Sequence, residues 1–274
     1  MDIDKSDSIK ITFENKNNIN LKKSIRTDSK TILRQEKILF LAYDQGLEHG
    51  PADFNDVNVD PLFIVNIAQK GKYSGMVLQK GIAEKYRIEI QKSGVPLIIK
   101  LNGKTNLYQG EPISRQLCSV KEAIKFGASA VGYTIYLGSK FENVMMREFE
   151  KIEKKAHENN IPVILWAYPR GKSIVKRSKS ELMIYAVRVG LELGADIVKI
   201  EYSGNAKDLP FAVKSAGRTK IVISGGMKKP EKEFLQDVKE FMKAGCAGIA
   251  VGRNIWQAKD PYALSDKLRK IIFS

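Results

Sequence analysis

In the stretch DIVKIEYSG, Asp196 to Gly204, a lysine interrupts an otherwise apolar run. Ile197, Val198 and Ile200 read as a short buried strand, and Lys199 and Glu201, two apart, share one of its faces. Lysine is rarely buried unless it is paired or chemically employed. Paired with Glu201 or Asp44, Lys199 would be a structural ion pair, costly to bury and adding little stability by itself. Otherwise desolvation, or a neighbouring cation such as Lys100, would lower its pKa from the usual ~10.4. The freed lone pair would make it an amine nucleophile toward a carbonyl.

Other residue types suited to chemistry stand at the ends of similar runs. Trp166 and Tyr168 close PVILWAY and lie on one face. Tyr168 is either a proton-transfer group or an amphipathic aromatic filling space, and Trp166 is a wall against substrate or lysine. Asp44, in phase with Phe40 and Ala42, either polarises a hydroxyl or serves a turn before Gly46. The pairs SGGM (Ser224, Gly225, Gly226) and VGRN (Gly252, Arg253) could wrap backbone N–H groups around an anion, with Arg253 adding a charge-assisted contact. Arg170, Lys228 and Lys229 are further cations, suited to a second phosphate or to water, with water the better reading for Lys229.

Eight apolar runs must position these groups: Ile38–Tyr43, Gly75–Gln79, Pro96–Asn102, Ser129–Ile135, Pro162–Tyr168, Asp196–Tyr202, Lys220–Ser224 and Ala247–Gly252. Helical signals separate them. Ser119 with Glu122 and Ser178 with Glu181 have capping-box spacing. Leu182, Tyr185, Ala186, Val189 and Leu193 make one apolar stripe, and Phe234, Val238, Phe241 and Met242 another, with Pro230 near its first turn. Gly127, Gly194 and Gly245 are placed to stop helices just before the next strand. Strict alternation of strand and helix predicts a parallel sheet sheathed in helices, and eight units predict a closed (β/α)8 TIM barrel. An open doubly wound sheet is disfavoured because no GxGxxG follows the first strand. Residues 1–30, polar and rich in Asn and Lys, read as an arm. Residues 31–274 read as a single catalytic barrel. In such a barrel, strand C-terminal ends carry function, and the acids, lysines, tyrosine and glycines above all fall there.

Composition narrows the function. The 274 residues are 43% hydrophobic and 28% charged, an ordinary globular balance. No run approaches the ~18 apolar residues of a membrane helix, and the N-terminus lacks a secretory pattern, so a cytoplasmic location and no membrane partner are expected. Cys118 and Cys246 are two reduced small hydrophobes rather than a disulfide framework. Two histidines, His49 and His157, are too few for a three-His zinc site, and no HExxH occurs, so neither metal nor cofactor is expected. His157 reads as a solvated helix position. The charge of +15 is spread without a dominant cluster, favouring an anionic small molecule over nucleic acid.

The blocks AYDQGLEHGP, LWAYPRG, VKIEYSG, ISGGMKK and AVGRNIWQ, in this order from about Ile38 to the C-terminus, resemble those of the archaeal-type class I fructose-1,6-bisphosphate aldolases. The resemblance implies a Schiff-base lysine at Lys199, a catalytic tyrosine at Tyr168, and Trp166 and Asp44 in the active site. It implies phosphate held at the seventh and eighth strand ends, and a homo-oligomer, often a decamer of pentamers. The substrate would be a phosphorylated sugar, split to dihydroxyacetone phosphate and glyceraldehyde 3-phosphate. A related lysine-dependent enzyme that makes an amino-dideoxy-heptulosonate is the nearest alternative. A non-catalytic barrel binding phosphosugar or nucleic acid is the alternative from another class.

Overall fold

The computed structural model describes Ile32 and residues 35–274; the expected arm, residues 1–30, lies outside the described residues. Eight parallel strands close into a barrel in sequential order. They are β1 (Ile38–Ala42), β2 (Gly75–Gln79), β3 (Leu97–Lys100), β4 (Ala128–Leu137), β5 (Val163–Pro169), β6 (Ile197–Ile200), β7 (Lys220–Ser224) and β8 (Gly248–Val251). Ladder pairing of β1 with both β2 and β8 closes the ring. The (β/α)8 barrel expected from the alternation is therefore the fold. A two-stranded antiparallel ribbon, Asn102–Gly103 with Arg115–Gln116, lies outside the ring.

Alternation along each strand splits the core in two. Outward side chains such as Leu39, Leu41, Ile99, Leu165 and Val198 pack against the helices. Inward ones, among them Ile38, Phe40, Val77, Ile98, Ile164, Ile197 and Val222, fill the lumen, and the fully buried Ile32 joins them. These apolar lumen layers form a floor. The groups able to do chemistry sit above it, at the strand C-terminal ends.

The helix ends mostly follow the sequence signals. Ser119 and Glu122 form both halves of a capping box. Ser178 accepts from the Glu181 N–H, but the Glu181 carboxylate turns to Arg177, so only half of that box forms. Gly127, Gly194 and Gly245 all adopt positive φ, at 91°, 77° and 93°. The stripe expected on the helix Lys179–Glu192 is rotated. Met183, Ala186, Val187 and Gly190 are its buried residues, and Tyr185 is exposed. Gly190 explains the rotation: a Cβ there would lie 2.7 Å from Val198 Cγ2, so the helix face with the least side chain presses on β6. His157 is not merely solvated. It bridges Glu153 at 2.8 Å and Asp196 at 2.9 Å, tying one helix to the start of β6, and these carboxylates hold its pKa above the ordinary histidine value against the opposing effect of burial.

Candidate active site

An open cavity of about 570 Å³ occupies the C-terminal mouth of the barrel. Asp44, Lys100, Trp166, Tyr168, Arg170, Lys199, Ser224, Gly225, Gly226, Gly252 and Arg253 all line it. The fold thus brings these residues to one place, whereas Lys228, also singled out in the sequence, does not line the cavity.

Lys199 points inward from β6, level with Trp166 of β5 in the ladder, and is 6% exposed. Lys100, on β3, is 7% exposed. The Nζ atoms of both lysines stand 5.1 Å from the centroid of the Trp166 ring, so the indole is shared by two ammonium groups. Lys100 also faces Asp44, with 3.7 Å between Nζ and Oδ2. Burial is the largest effect on Lys199 and lowers its pKa to about 8; Asp44 opposes it, and Lys100 lowers it further. Burial lowers the pKa of Lys100 as well, against the pull of Asp44. At pH 7 a pKa of about 8 leaves about one amine in ten neutral, against ~1 in 3,000 for an ordinary lysine. The ion pair considered for Lys199 with Glu201 does not form. Glu201 lies just past the end of β6, and its carboxylate bonds Arg170 at 2.7 Å.

Room for this cluster depends on Gly132, in the middle of β4. A Cβ at Gly132 would lie 2.1 Å from Trp166 Cζ3. An isolated glycine within a strand pattern signals such a close approach, and this one was legible in principle. Gly132→Ala is expected to push the indole off the lysine pair. A stability loss of about 1–3 kcal/mol should accompany the shift. Near-ultraviolet circular dichroism and thermal unfolding measure both; an unchanged aromatic signal and Tm would show that Gly132 does not set the ring position.

Tyr168 is partly exposed on the cavity wall, and its hydroxyl has no hydrogen-bond partner among the described residues. Burial first, then the Glu201 carboxylate, raises its pKa well above the ordinary value, so the phenol is neutral at physiological pH. The guanidinium carbon of Arg170 lies 4.9 Å from the centroid of its ring. Arg170 is held there by Glu201 and by Glu48, at 3.2 Å, whose carboxylate also accepts from the Tyr136 hydroxyl. Arg170 therefore caps Tyr168 with its charge already answered, rather than standing as an open anion receptor. Glu48 was not singled out in the sequence, because only the tertiary fold brings β1, β4 and β5 loops to one point.

At the ends of β7 and β8 the glycines are required by close approach. A Cβ on Gly225 would meet Val251 Cγ2 at 2.8 Å, and one on Gly252 the Ala42 carbonyl oxygen at 2.7 Å. Gly226 turns at φ 63°. Gly225 spends its N–H on the Ala250 carbonyl, so it shapes the loop rather than donating to an anion. The buried Asn254 pins the two loops together. Its Nδ2 donates to the Gly225 and Met227 carbonyls at 2.7 and 3.0 Å, and its Oδ1 accepts from the Lys229 N–H. Arg253 donates to the Gly226 carbonyl at 3.2 Å and faces Asp53. Of the unplaced cations, Lys229 is paired with Asp237 and Glu233, and Lys228 donates to the Gln257 carbonyl. Asn102, beside Lys100, is structural: it bonds Ser114 and Thr134 and is fully buried.

A depressed-pKa lysine at this rim, beside a neutral tyrosine and a glycine-rich basic end, suits imine chemistry on a phosphorylated carbonyl compound. Residues 38–258 match the family described as DeoC/LacD family aldolase. The class 1 fructose-bisphosphate aldolase of Thermoproteus tenax is 48% identical over 243 residues, covering 88% of this chain and 91% of that protein. The enzyme of the same name from Halobacterium salinarum is 43% identical, covering 88% and 92%. Among solved structures, an archaeal fructose-1,6-bisphosphate aldolase, its catalytic lysine covalently bound to the carbinolamine intermediate, superimposes with a TM-score of 0.84. It is 45% identical and covers 90% of this chain and 99% of its own.

Proposed function

The chain belongs to the DeoC/LacD family of aldolases, and from that premise we propose that it is a class I fructose-1,6-bisphosphate aldolase. The reaction is the reversible cleavage of the bisphosphate to dihydroxyacetone phosphate and glyceraldehyde 3-phosphate. The observation that carries this reading is the buried Lys199, with its pKa lowered to about 8, level with Trp166 and above an apolar barrel floor.

In the proposed mechanism neutral Lys199 attacks the C2 carbonyl carbon. The resulting carbinolamine loses water to give an iminium, which accepts the electron pair when the C3–C4 bond breaks. The C4 hydroxyl loses its proton as the aldehyde leaves. Tyr168 relays the proton to C3 of the ketone half, and water then hydrolyses the iminium to release dihydroxyacetone phosphate and the Lys199 amine; Asp44 orients hydroxyls, and Lys100 adds to burial in lowering the Lys199 pKa. The Ser224–Gly226 and Gly252–Arg253 segments hold a phosphate, whose binding energy orients the reacting carbons. The Trp166 ring stands beside both lysines, 5.1 Å from each Nζ, and forms a wall of the site. The enzyme works in the cytoplasm as a homo-oligomer, a question for sedimentation. Among the described residues no helix is long and apolar enough to cross a membrane.

Incubation with dihydroxyacetone phosphate and borohydride tests the reading. A stable adduct should appear on Lys199 by mass spectrometry, and bisphosphate cleavage should survive chelator. Absence of the adduct in the wild-type protein would refute imine chemistry. With cyanoborohydride as reductant, the rate of capture should rise with pH and level off, with a midpoint near the Lys199 value of about 8. The sign follows from the amine: only its unprotonated form attacks, and that fraction grows as pH climbs through the pKa. A flat profile between pH 6 and 9 would contradict it.

A further inference from the structure

Tyr168, the proton relay of the proposed mechanism, has no hydrogen bond among the described residues to fix its hydroxyl. Its placement rests on its ring, and the ring is braced by its neighbours. Tyr168 of β5 is level with Tyr136 of β4 in the ladder. One guanidinium spans the two rings: the central carbon of Arg170 lies 4.9 Å from the centroid of Tyr168 and 5.8 Å from that of Tyr136. Two carboxylates fix that guanidinium. Glu201 takes Nη2 at 2.7 Å, and Glu48, from the helical turn Gly46–His49 after β1, takes Nη1 at 3.2 Å. The two are not equivalent, since the Glu201 side chain is 44% exposed and that of Glu48 23%. The same Glu48 oxygen, Oε1, accepts from the hydroxyl of the buried Tyr136 at 3.2 Å, and Lys104 Nζ stands 3.9 Å from it. Burial first, then the Glu48 carboxylate, raises the pKa of Tyr136, so its phenol stays a donor. The Glu48 main chain is tied down as well: its N–H donates to the Gln45 carbonyl at 3.0 Å, and its carbonyl accepts from the Asn106 N–H at 2.9 Å.

We propose that Glu48 and Tyr136 are positioning residues for proton transfer by Tyr168, acting through Arg170. Tyr136, rooted in the barrel wall, fixes the Glu48 carboxylate. Glu48 fixes one edge of the guanidinium, and the guanidinium rests on the Tyr168 ring. Without Glu48, Arg170 would hang from the more exposed Glu201 alone, and the Tyr168 hydroxyl would gain room to drift from the carbon it serves. Proton transfer is sensitive to such drift, because an ångström of misplacement can cost ~100-fold. Attack of Lys199 on the ketone is launched from β6 and makes no use of the Tyr168 hydroxyl, so the two steps should respond differently when the brace is cut.

This inference rests on the aldolase reading, and the test separates the two. With saturating dihydroxyacetone phosphate, two rates are measured for each variant: borohydride capture at Lys199, and exchange of the C3 protons with deuterated solvent by NMR. Glu48→Ala should slow exchange about 10-fold and leave capture within about 2-fold of wild type. Tyr136→Phe should slow exchange about 3-fold, the weight of one lost hydrogen bond. Glu48→Gln, which keeps an acceptor oxygen, should recover part of the loss. Arg170→Met should lose at least as much exchange as Glu48→Ala. In that background Glu48→Ala should cost no more than about 2-fold further, because nothing remains for it to act through. Capture shows that each variant is folded. An unchanged exchange rate in Glu48→Ala, an equal loss of capture and exchange, or the same loss with and without Arg170 overturns the assignment. If the wild type gives no capture, the aldolase reading itself fails, and this inference with it.

Discussion

Replacing Lys199 with methionine should end covalent capture of dihydroxyacetone phosphate, lower kcat on the order of 10⁴-fold or more, and make the protein more stable. The two effects have one cause. Holding an ammonium at a site that is 6% exposed, beside Lys100, drops its pKa from 10.5 to about 8. That difference corresponds to about 3 kcal/mol of strain on the folded state at neutral pH. Methionine fills a similar volume without the charge and removes the repulsion of Lys100, so a net gain of ~1–3 kcal/mol is expected at pH 7. The sign with pH is fixed. The folded-state pKa lies below the unfolded one, so the unfolded chain binds more protons between about pH 8 and 10.5. Wild-type stability therefore rises across that window, and the advantage of the variant shrinks there. Thermal unfolding at pH 7 and pH 9.5, together with the capture assay, measures both halves. A variant that is less stable than wild type at pH 7 would show that Lys199 is a structural ion-pair partner after all.

Tyr168→Phe should lower kcat for bisphosphate cleavage by about 10²–10³-fold while leaving the adduct with dihydroxyacetone phosphate intact. In the proposed mechanism imine formation belongs to Lys199, whereas the phenol serves the proton at carbon. Solvent exchange of the C3 protons of dihydroxyacetone phosphate, followed by NMR, should therefore be lost in parallel with kcat. The fold should tolerate the change, because the hydroxyl has no hydrogen-bond partner among the described residues and the ring, with Arg170 above it, remains. The phenol is neutral throughout the physiological range, its pKa raised by burial and by Glu201, so no loss of rate from its deprotonation is expected below pH 10. Exchange at the wild-type rate in the variant would remove Tyr168 from proton transfer.

The barrel and most of its mouth were legible because a parallel strand writes its burial into local sequence. Eight short apolar runs separated by helical signals, three of which close on a glycine just before the next run, leave few other architectures. The period of two then aims Lys199, Trp166 and Lys100 inward before any coordinate is known. Limits appeared wherever a side chain chooses among partners of similar chemistry. Glu201 looked like the companion of Lys199 by spacing, but the carboxylate lies past the strand end and turns to Arg170. Arg170 looked like a free cation, and the loops of β1 and β6 supply two carboxylates that occupy it. The stripe on Lys179–Glu192 was misphased because small residues, which hydropathy undervalues, make the buried face where backbone approaches backbone.

By itself, then, the amino-acid order determined the kind of barrel, the rim at which the candidate residues gather and the identity of an inward lysine. Those properties follow from periodicity and from the helix stops, which act over a few residues. Tertiary structure alone decided the protonation of that lysine, the pairing of Arg170 over Tyr168, and the meeting of His49, Asp53 and Arg253. Each depends on how deeply a charge is removed from water and on which loops the closed ring brings together. Both are set by contacts between segments far apart in sequence, such as Asp53 and Arg253, 200 residues from each other.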